Sequence, residues 1–206
     1  MIFKTVKRVY NSLTLPKIIE MGSAEREIER QKKLKILLDD INSNDEKKII
    51  AAIKALKVNG DESVIRPLVQ MWNNNTFQSV QNELTVFFND LKSNSSASIL
   101  MEIINDEHYN KVRLPLLSSI WNSSVDYSEY LEDFVRLAIH NDFMIALECL
   151  TIIENLEGPF EEHHVLESEI ALREYAEQQN SNKTDDDQKL HLIREIELII
   201  SSVKFQ

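Results

Sequence analysis

Glycine, proline and cysteine are scarce in this chain of 206 residues, which contains three, four and one of them respectively. Tight hairpin turns between strands depend on glycine, so the low glycine count disfavours a β-rich fold and favours helices. The three glycines are also far apart in the sequence, which excludes a glycine-rich phosphate-binding loop. These shortages indicate an all-α protein.

The single cysteine, Cys149, cannot form an internal disulfide and falls on an apolar helical stripe. We therefore expect a buried thiol that acts as a small core residue, in a reducing, cytoplasmic compartment. The chain also lacks any run that approaches the roughly 18 apolar residues of a membrane span. The sequence thus predicts no transmembrane segment.

Basic residues become scarce after residue 58. Residues 1–58 contain 13 Lys and Arg against 8 Asp and Glu, whereas residues 59–206 contain 10 against 26. The formal charges of the two parts are therefore +5 and −16. Nucleic-acid binding needs clustered Lys and Arg, so we predict no nucleic-acid partner. An acidic surface favours a protein partner with a basic patch instead.

Apolar residues recur at i, i+3, i+4 and i+7 in successive segments, which is typical of amphipathic helices. The clearest example lies between residues 128 and 159, where two such segments flank a polar break at residues 140–142. Within this break Asp142 is placed to cap the second helix, and Gly158 with Pro159 should end it. The two apolar stripes consist of Leu131, Phe134, Val135 and Ala138, then Ala146, Cys149, Leu150 and Ile153.

Similar breaks recur at Asn42, Asn73, Asn105 and Asn141, at intervals of 31, 32 and 36 residues. Repetition at this period predicts a helical solenoid, in which each helical pair buries its apolar faces against its neighbours. A small polar residue stands near the start of each second helix, where it can cap the helix. These residues are Asp45, Thr76, Asp106 and Asp142.

Four of these segments resemble HEAT and HEAT-like, armadillo-type repeats. They are LKILLDDINSNDEKKIIAAIKALKVNGD, IRPLVQMWNNNTFQSVQNELTVFFNDL, ILMEIINDEHYNKVRLPLLSSIWNSS and the stretch from 128 to 159. The matching features are the Asn/Asp break, the small residues Ala52 and Ala146, and the pair Val112-Arg113 after Asp106. The resemblance implies a right-handed α-solenoid of about five antiparallel helical pairs that binds other macromolecules, usually proteins. Pro115 departs from the pattern and should bend its helix.

The N-terminus, residues 1–22, is basic and amphipathic and lacks the apolar run of a secretory signal. Gly22 and Ser23 mark a joint, so we predict an N-terminal helix or cap over residues 1–22 and the solenoid domain over residues 23–206. The N-terminal segment would either cover the end of the first repeat or dock on a membrane surface or a partner. The residues expected to dock are Phe3, Lys4, Lys7 and Arg8.

The densest titratable cluster is formed by residues 161–167, EEHHVLE. His163 and Glu167 are four residues apart on a helix and could share a metal ion. A His-Glu-x-x-His motif is absent, however, so a solvated, acidic first helical turn is the simpler interpretation. We predict neither a metal nor another cofactor.

Some HEAT-like enzymes resemble metal hydroxylases with paired His-Glu dipeptides, and this chain has no such dipeptide. Others resemble alkylpurine DNA glycosylases, which use a basic surface with aromatic residues. Here the later repeats are acidic, and Trp72 and Trp121 fall on stripes that should be buried. No Ser/His/Asp or Cys/His arrangement stands out. The sequence therefore predicts that the protein is not an enzyme.

The most direct functional prediction is a non-catalytic protein-binding scaffold with an acidic surface. In HEAT-type stacks the second helix of each pair usually lines the concave side, so the expected contact residues are Gln81, Glu83, Glu148, Thr151 and Glu154. Two alternatives remain open. The first is a peripheral membrane adaptor held by the N-terminal segment, and the second is an enzyme on a HEAT scaffold, either glycosylase-like or metal-dependent.

Overall fold

A computed structural model describes residues 15–74, 77–181 and 187–203. Within these ranges the chain is all-helical, with ten α-helices and no strand, which confirms the prediction of an all-α protein. The helices are α1 Leu15–Ile41, α2 Glu46–Asn59, α3 Ile65–Asn74, α4 Gln78–Asn89, α5 Ser95–Asn105, α6 Asn110–Ile120, α7 Leu131–His140, α8 Phe143–Asn155, α9 Glu162–Ser181 and α10 Asp187–Ser202. Short 3-10 turns over Glu62–Val64, Glu107–Tyr109 and Ser128–Tyr130 lead into α3, α6 and α7.

The chain divides into two compact units, Met1–Gly60 and Asp61–Gln206. The first unit contains α1 and α2, and the second contains α3 to α10. The boundary between the two units, after Gly60, lies two residues beyond position 58, after which basic residues become scarce. The two units therefore carry formal charges of +5 and −16.

The predicted helix break at Gly22 and Ser23 is wrong, because α1 runs through it without interruption. A glycine inside a helix costs only about 1 kcal/mol relative to alanine, which a helix of 27 residues absorbs. Pro16 is the second residue of α1, and in the first turn its missing N–H has no helical partner to lose. Whether residues 1–22 act as a cap or docking segment stays a prediction, because Phe3, Lys4, Lys7 and Arg8 lie outside the described residues.

In the first unit, α1 and α2 pack against each other. Asp45 caps α2 as the sequence predicts, because its carboxylate accepts hydrogen bonds from two backbone N–H groups in the first turn. Lys48 Nζ lies 2.8 Å from Asp40 Oδ1 of α1, which joins the two helices next to the polar break. Leu37 and Leu38 of α1 are half-buried. The buried apolar residues of the unit are Leu34, Ile41, Ile49, Ala52, Ile53 and Leu56.

In the second unit, successive helices pack as α3 with α4, α5 with α6, α7 with α8 and α9 with α10. Helices two apart in sequence also pack together: α3 with α5, α4 with α6, α6 with α8, α7 with α9 and α8 with α10. Each stripe predicted for α7 and α8 is buried in full, and Asp142 caps α8 by accepting a hydrogen bond from Ile145 N. The break after α7 therefore forms as the sequence predicts.

The apolar residues of the last two helices are only partly buried. Leu166, Ile170 and Leu198 are exposed. One face of α9 packs on α7, and that face contains a serine whose hydroxyl donates to the carbonyl of His164 within the helix. This hydrogen bond satisfies the serine hydroxyl, so a polar residue can lie on the buried face of α9. The residues that α9 buries are Val165, Ser168, Ala171 and Leu172.

A buried arginine connects the helices at the centre of the second unit. Arg113 in α6 is only 5% exposed. Its Nε donates to the carbonyl of Ile104 at the end of α5 at 2.7 Å, and its Nη1 donates to Asn141 Oδ1 after α7 at 2.9 Å. Its Nη2 pairs with Glu107 Oε1 at 2.8 Å in the turn before α6. One guanidinium thus joins α5, α6 and the break after α7.

Asn141 forms hydrogen bonds with both neighbouring helical pairs. Its Nδ2 donates to the carbonyl of Leu137 in its own helix, and its Oδ1 accepts from Arg113 of α6. From the other side, Lys189 Nζ of α10 donates to the carbonyls of Asn141 and Ile139. A cation at the C-terminal end of a helix is favourable because the last carbonyls carry partial negative charge.

The other repeated asparagines also act at helix ends. Asn73 Nδ2 donates to the carbonyl of His108, and Asn105 Nδ2 donates to Asp133 Oδ1 at 2.9 Å, so both connect one helical pair to the next. Asn42 instead donates to a carbonyl of its own helix. The period found in the sequence therefore marks the positions where helix ends and neighbouring pairs are bonded.

We expect the substitution Arg113→Met to destabilise the fold by about 3 kcal/mol, because it leaves the carbonyl of Ile104, the Asn141 side chain and Glu107 without their cation. The free energy of unfolding in urea measures this loss. The matched control is Arg66→Met, which removes an exposed guanidinium paired with Glu102 and should cost at most about 1 kcal/mol. Equal losses in both variants would contradict the role assigned to Arg113.

Candidate protein-binding surface

The residues predicted to contact a partner lie on two helices of the second unit. Gln81 and Glu83 belong to α4, and Glu148, Thr151 and Glu154 belong to α8. Glu154 is exposed, and the other four are half-buried. Because α6 packs against both α4 and α8, the residues of α6 lie between these two groups. Their contact with a partner stays a prediction.

Glu148 joins α8 to α6 through both oxygens of its carboxylate. Its Oε1 accepts a hydrogen bond from Ser118 Oγ at 2.7 Å, and its Oε2 accepts one from Trp121 Nε1 at 3.1 Å. A carboxylate has about four acceptor positions, so Glu148 keeps capacity for a further donor. The sequence singled out Glu148 but offered no signal for these two partners.

Trp121 was predicted to be buried, and this prediction is wrong. The indole is 45% exposed. Trp121 directly follows the last residue of α6, and its indole lies beside Glu148 of α8 at the surface instead of entering the core. Its N–H is satisfied by Glu148. The prediction is confirmed for Trp72, which is 5% exposed and stacks on Phe88 with ring centroids 5.4 Å apart.

A cavity of about 390 Å³ lies beside α6. This volume falls within the usual range of binding pockets, about 300–1,000 Å³. Pro115, Ser118 and Trp121 follow one another at intervals of three residues, so they share one side of α6. The cavity is lined by Trp72, Asn73, Asn74, Gln81, Lys111, Val112 and Pro115.

We group the cavity and the residues around Glu148 as one surface, because α6 contributes to both, and call it the α4–α6–α8 surface. It begins at Gln81 and the cavity, follows α6 to Trp121, and crosses to α8 at Glu148. Met144 precedes Glu148 by one helical turn and is 48% exposed, so it extends the same side of α8. The members of the surface are Gln81, Lys111, Pro115, Ser118, Trp121, Met144, Glu148, Thr151 and Glu154.

The α4–α6–α8 surface is only weakly acidic, because Lys111 offsets one of its two carboxylates. A denser group of carboxylates lies on α5, α7 and α9 and the turn before α7. Arg136 of α7 binds Glu132 at 2.7 Å and lies 3.7 Å from Glu167 of α9. Burial raises the pKa of Asp133 above its usual range. The members of this group are Glu102, Glu129, Glu132, Asp133 and Glu167, accompanied by Arg66 and Arg136.

Most of the titratable cluster at the start of α9 is exposed, as expected of a solvated, acidic first helical turn. His163 and Glu167, whose spacing would let them share a metal ion, have different partners, because Glu167 lies 3.7 Å from Arg136 of α7. His163 Nδ1 is instead 3.3 Å from Glu161 Oε2. The rings of His163 and His164 are inclined at 40° with their centroids 3.8 Å apart. The sequence could not predict this exchange of partners, because Arg136 comes from another helix.

Cys149 is completely buried, as predicted. Burial raises the pKa of its thiol far above the ordinary value. The thiolate is the nucleophilic form of cysteine, so a buried thiol with a raised pKa is a core residue and a poor nucleophile.

No helix within the three described ranges is both long and apolar enough to cross a bilayer.

Comparison with known proteins gives no family for this chain, because no family model, curated protein or solved structure matches it. The resemblance to HEAT-like repeats therefore stays a prediction that rests on the residues quoted above.

The exposure of the two tryptophans gives a direct test of this surface. In a Trp72→Phe variant the remaining Trp121 should emit at longer wavelength and be strongly quenched by acrylamide, because its indole meets water. In a Trp121→Phe variant the buried Trp72 should emit at shorter wavelength and resist quenching. Fluorescence spectra and quenching constants measure both, and equal quenching of the two variants would contradict the described position of Trp121.

Proposed function

We propose that this protein is a non-catalytic, cytoplasmic scaffold that binds another protein through the α4–α6–α8 surface. Its architecture would be a right-handed α-solenoid of about five antiparallel helical pairs, as the resemblance to HEAT-like repeats implies. The packing order of the helices supports this architecture. In the second unit, the main helix contacts join helices of one pair or of neighbouring pairs, as expected of a stack of repeats.

The main support for this proposal is the half-exposed indole of Trp121, whose N–H donates a hydrogen bond to Glu148. An aromatic side chain in one fixed orientation loses little conformational freedom when a partner covers it. Tryptophan is also enriched among the residues that contribute most to binding energy at protein interfaces. Met144 adds a second exposed apolar side chain on the same surface.

The proposed partner is a protein that presents lysine or arginine beside an apolar side chain. Glu148 and Glu154 would accept hydrogen bonds from its cations, and a guanidinium could also lie over the Trp121 indole. The formal charge of −16 on the second unit would attract such a partner over a longer range. Because charge attraction of this kind is screened by ions, binding should weaken as salt increases.

The residues of the cavity fit a binding role better than a catalytic one. Its lining combines an indole, amide side chains, one lysine and apolar residues. General acid–base catalysis and nucleophilic catalysis both need a titratable group held within hydrogen-bond reach of its partner. Lys111 is the one titratable residue among those that line the cavity. We therefore propose recognition, without chemistry, at this surface.

Two charge-reversal variants distinguish binding through the proposed surface from a general effect of the protein's net charge. Glu148→Lys with Glu154→Lys alters the α4–α6–α8 surface, and Glu129→Lys with Glu174→Lys makes the same change in net charge on the turn before α7 and on α9. We expect the first variant, and also Trp121→Ala, to lose a partner captured from source lysate at low salt. Quantitative pull-down should show at least about a tenfold loss, because a central tryptophan contributes roughly 2 kcal/mol or more.

The control variant Glu129→Lys with Glu174→Lys should retain the partner, although with lower affinity at low salt. Equal loss from both charge variants would contradict the assignment to this surface and leave only a general effect of charge. Failure of the wild-type chain to capture any stoichiometric partner would contradict the proposed function itself.

A further inference from the structure

We propose that Glu161, His163 and His164 form a binding site for one divalent transition-metal ion, of which Zn²⁺ is the type case. The site is independent of the α4–α6–α8 surface and of the proposed scaffold function. Each of the three residues offers one ligand atom, and these atoms all lie within 4.8 Å of one another. Among the described residues, this is the group of three histidine or carboxylate side chains whose ligand atoms lie this close together.

The distances fit a single ion. Zinc binds imidazole nitrogen and carboxylate oxygen at about 2.0–2.2 Å, so two ligands of one tetrahedral ion lie about 3.4 Å apart. His163 Nδ1 and Glu161 Oε2 are separated by 3.3 Å. The rings of His163 and His164 are inclined at 40° with their centroids 3.8 Å apart, which places the second imidazole beside the first. Small side-chain rotations would bring the third atom to the same distance.

The backbone holds the three ligands on one rigid segment. His163 and His164 lie in the first turn of α9, and Glu161 directly precedes this helix. The carbonyl of Glu161 accepts hydrogen bonds from the N–H groups of His164 and Val165. These bonds fix the residue before the helix to the first turn, so the backbone positions of the three residues are fixed relative to one another. A pre-arranged set of ligands loses less entropy when the ion binds.

The ligand types select the class of metal. Imidazole nitrogen suits zinc, nickel and copper, whereas calcium and magnesium prefer sites made of oxygen atoms. The negative charge of Glu161 offsets part of the charge of the ion. Three protein ligands leave the fourth position of a tetrahedral site to water or to another molecule.

A carboxylate of a neighbouring helix lies near the site. Asp133 of α7 lies close enough to His164 for the two side chains to interact electrostatically. Asp133 is itself held by a hydrogen bond from Asn105 at 2.9 Å. Carboxylates behind a metal-binding histidine commonly orient the imidazole and make it a stronger ligand.

Calorimetric titration of the untagged, full-length protein with Zn²⁺ tests the proposal. The wild-type chain should bind one Zn²⁺ at this site, and the double substitution His163→Ala with His164→Ala should lower the affinity at least about tenfold, the smallest effect usual even for residues behind the ligands. The matched control, His108→Ala with His191→Ala, removes two histidines elsewhere and should leave the affinity unchanged. Glu161→Gln should give a smaller loss than the double histidine substitution.

A spectroscopic readout separates the histidine site from adventitious binding to carboxylates. Cu²⁺ bound to the wild-type chain should show electron paramagnetic resonance coupling to imidazole nitrogen, and this coupling should vanish in the His163→Ala, His164→Ala variant. Circular dichroism checks that the variant stays helical. Unchanged Zn²⁺ affinity in the double histidine variant, or displacement of Zn²⁺ by an equal concentration of Ca²⁺, would overturn the proposal.

Discussion

A guanidinium can be removed from water only if other groups replace the hydrogen bonds that it loses, because an unpaired buried charge costs several kcal/mol. Arg113 meets this requirement by binding α5, the turn before α6 and the break after α7 with three different nitrogen atoms. Lys189 binds the same break from α10. The ends of three successive helical pairs are therefore bonded around Asn141. The contact of Trp121 with Glu148, which joins α6 to α8, depends on how these bonds position α6.

The features that sequence could predict are those set by local interactions. Apolar periodicity identified the paired helices from α1 to α8, and the caps at Asp45 and Asp142 were found because a carboxylate before a helix satisfies nearby N–H groups. The joint predicted at Gly22 does not interrupt α1, because one unfavourable residue does not decide whether a long helix forms. Glycine weakens a helix by a small amount, and the remaining turns of α1 outweigh that local cost.

The features that sequence missed depend on contacts between helices. Trp121 has apolar spacing, yet its indole donates to Glu148 of α8 and stays half-exposed. Glu167 has the spacing to share a metal ion with His163, but it lies 3.7 Å from Arg136 of α7. Glu148 was among the predicted contact residues, while its partners Ser118 and Trp121 came from a different helix. Spacing along one helix cannot reveal which neighbour a long polar side chain will meet.

Arg113 couples neighbouring helical pairs in addition to stabilising its own helix. Hydrogen exchange followed by mass spectrometry, on the wild-type chain and on the Arg113→Met variant, tests this coupling. Coupling predicts faster exchange in α5 and α6 and also in α7 and α8, because the bond to Asn141 is lost together with the bond to Ile104. Faster exchange confined to α6 would contradict it.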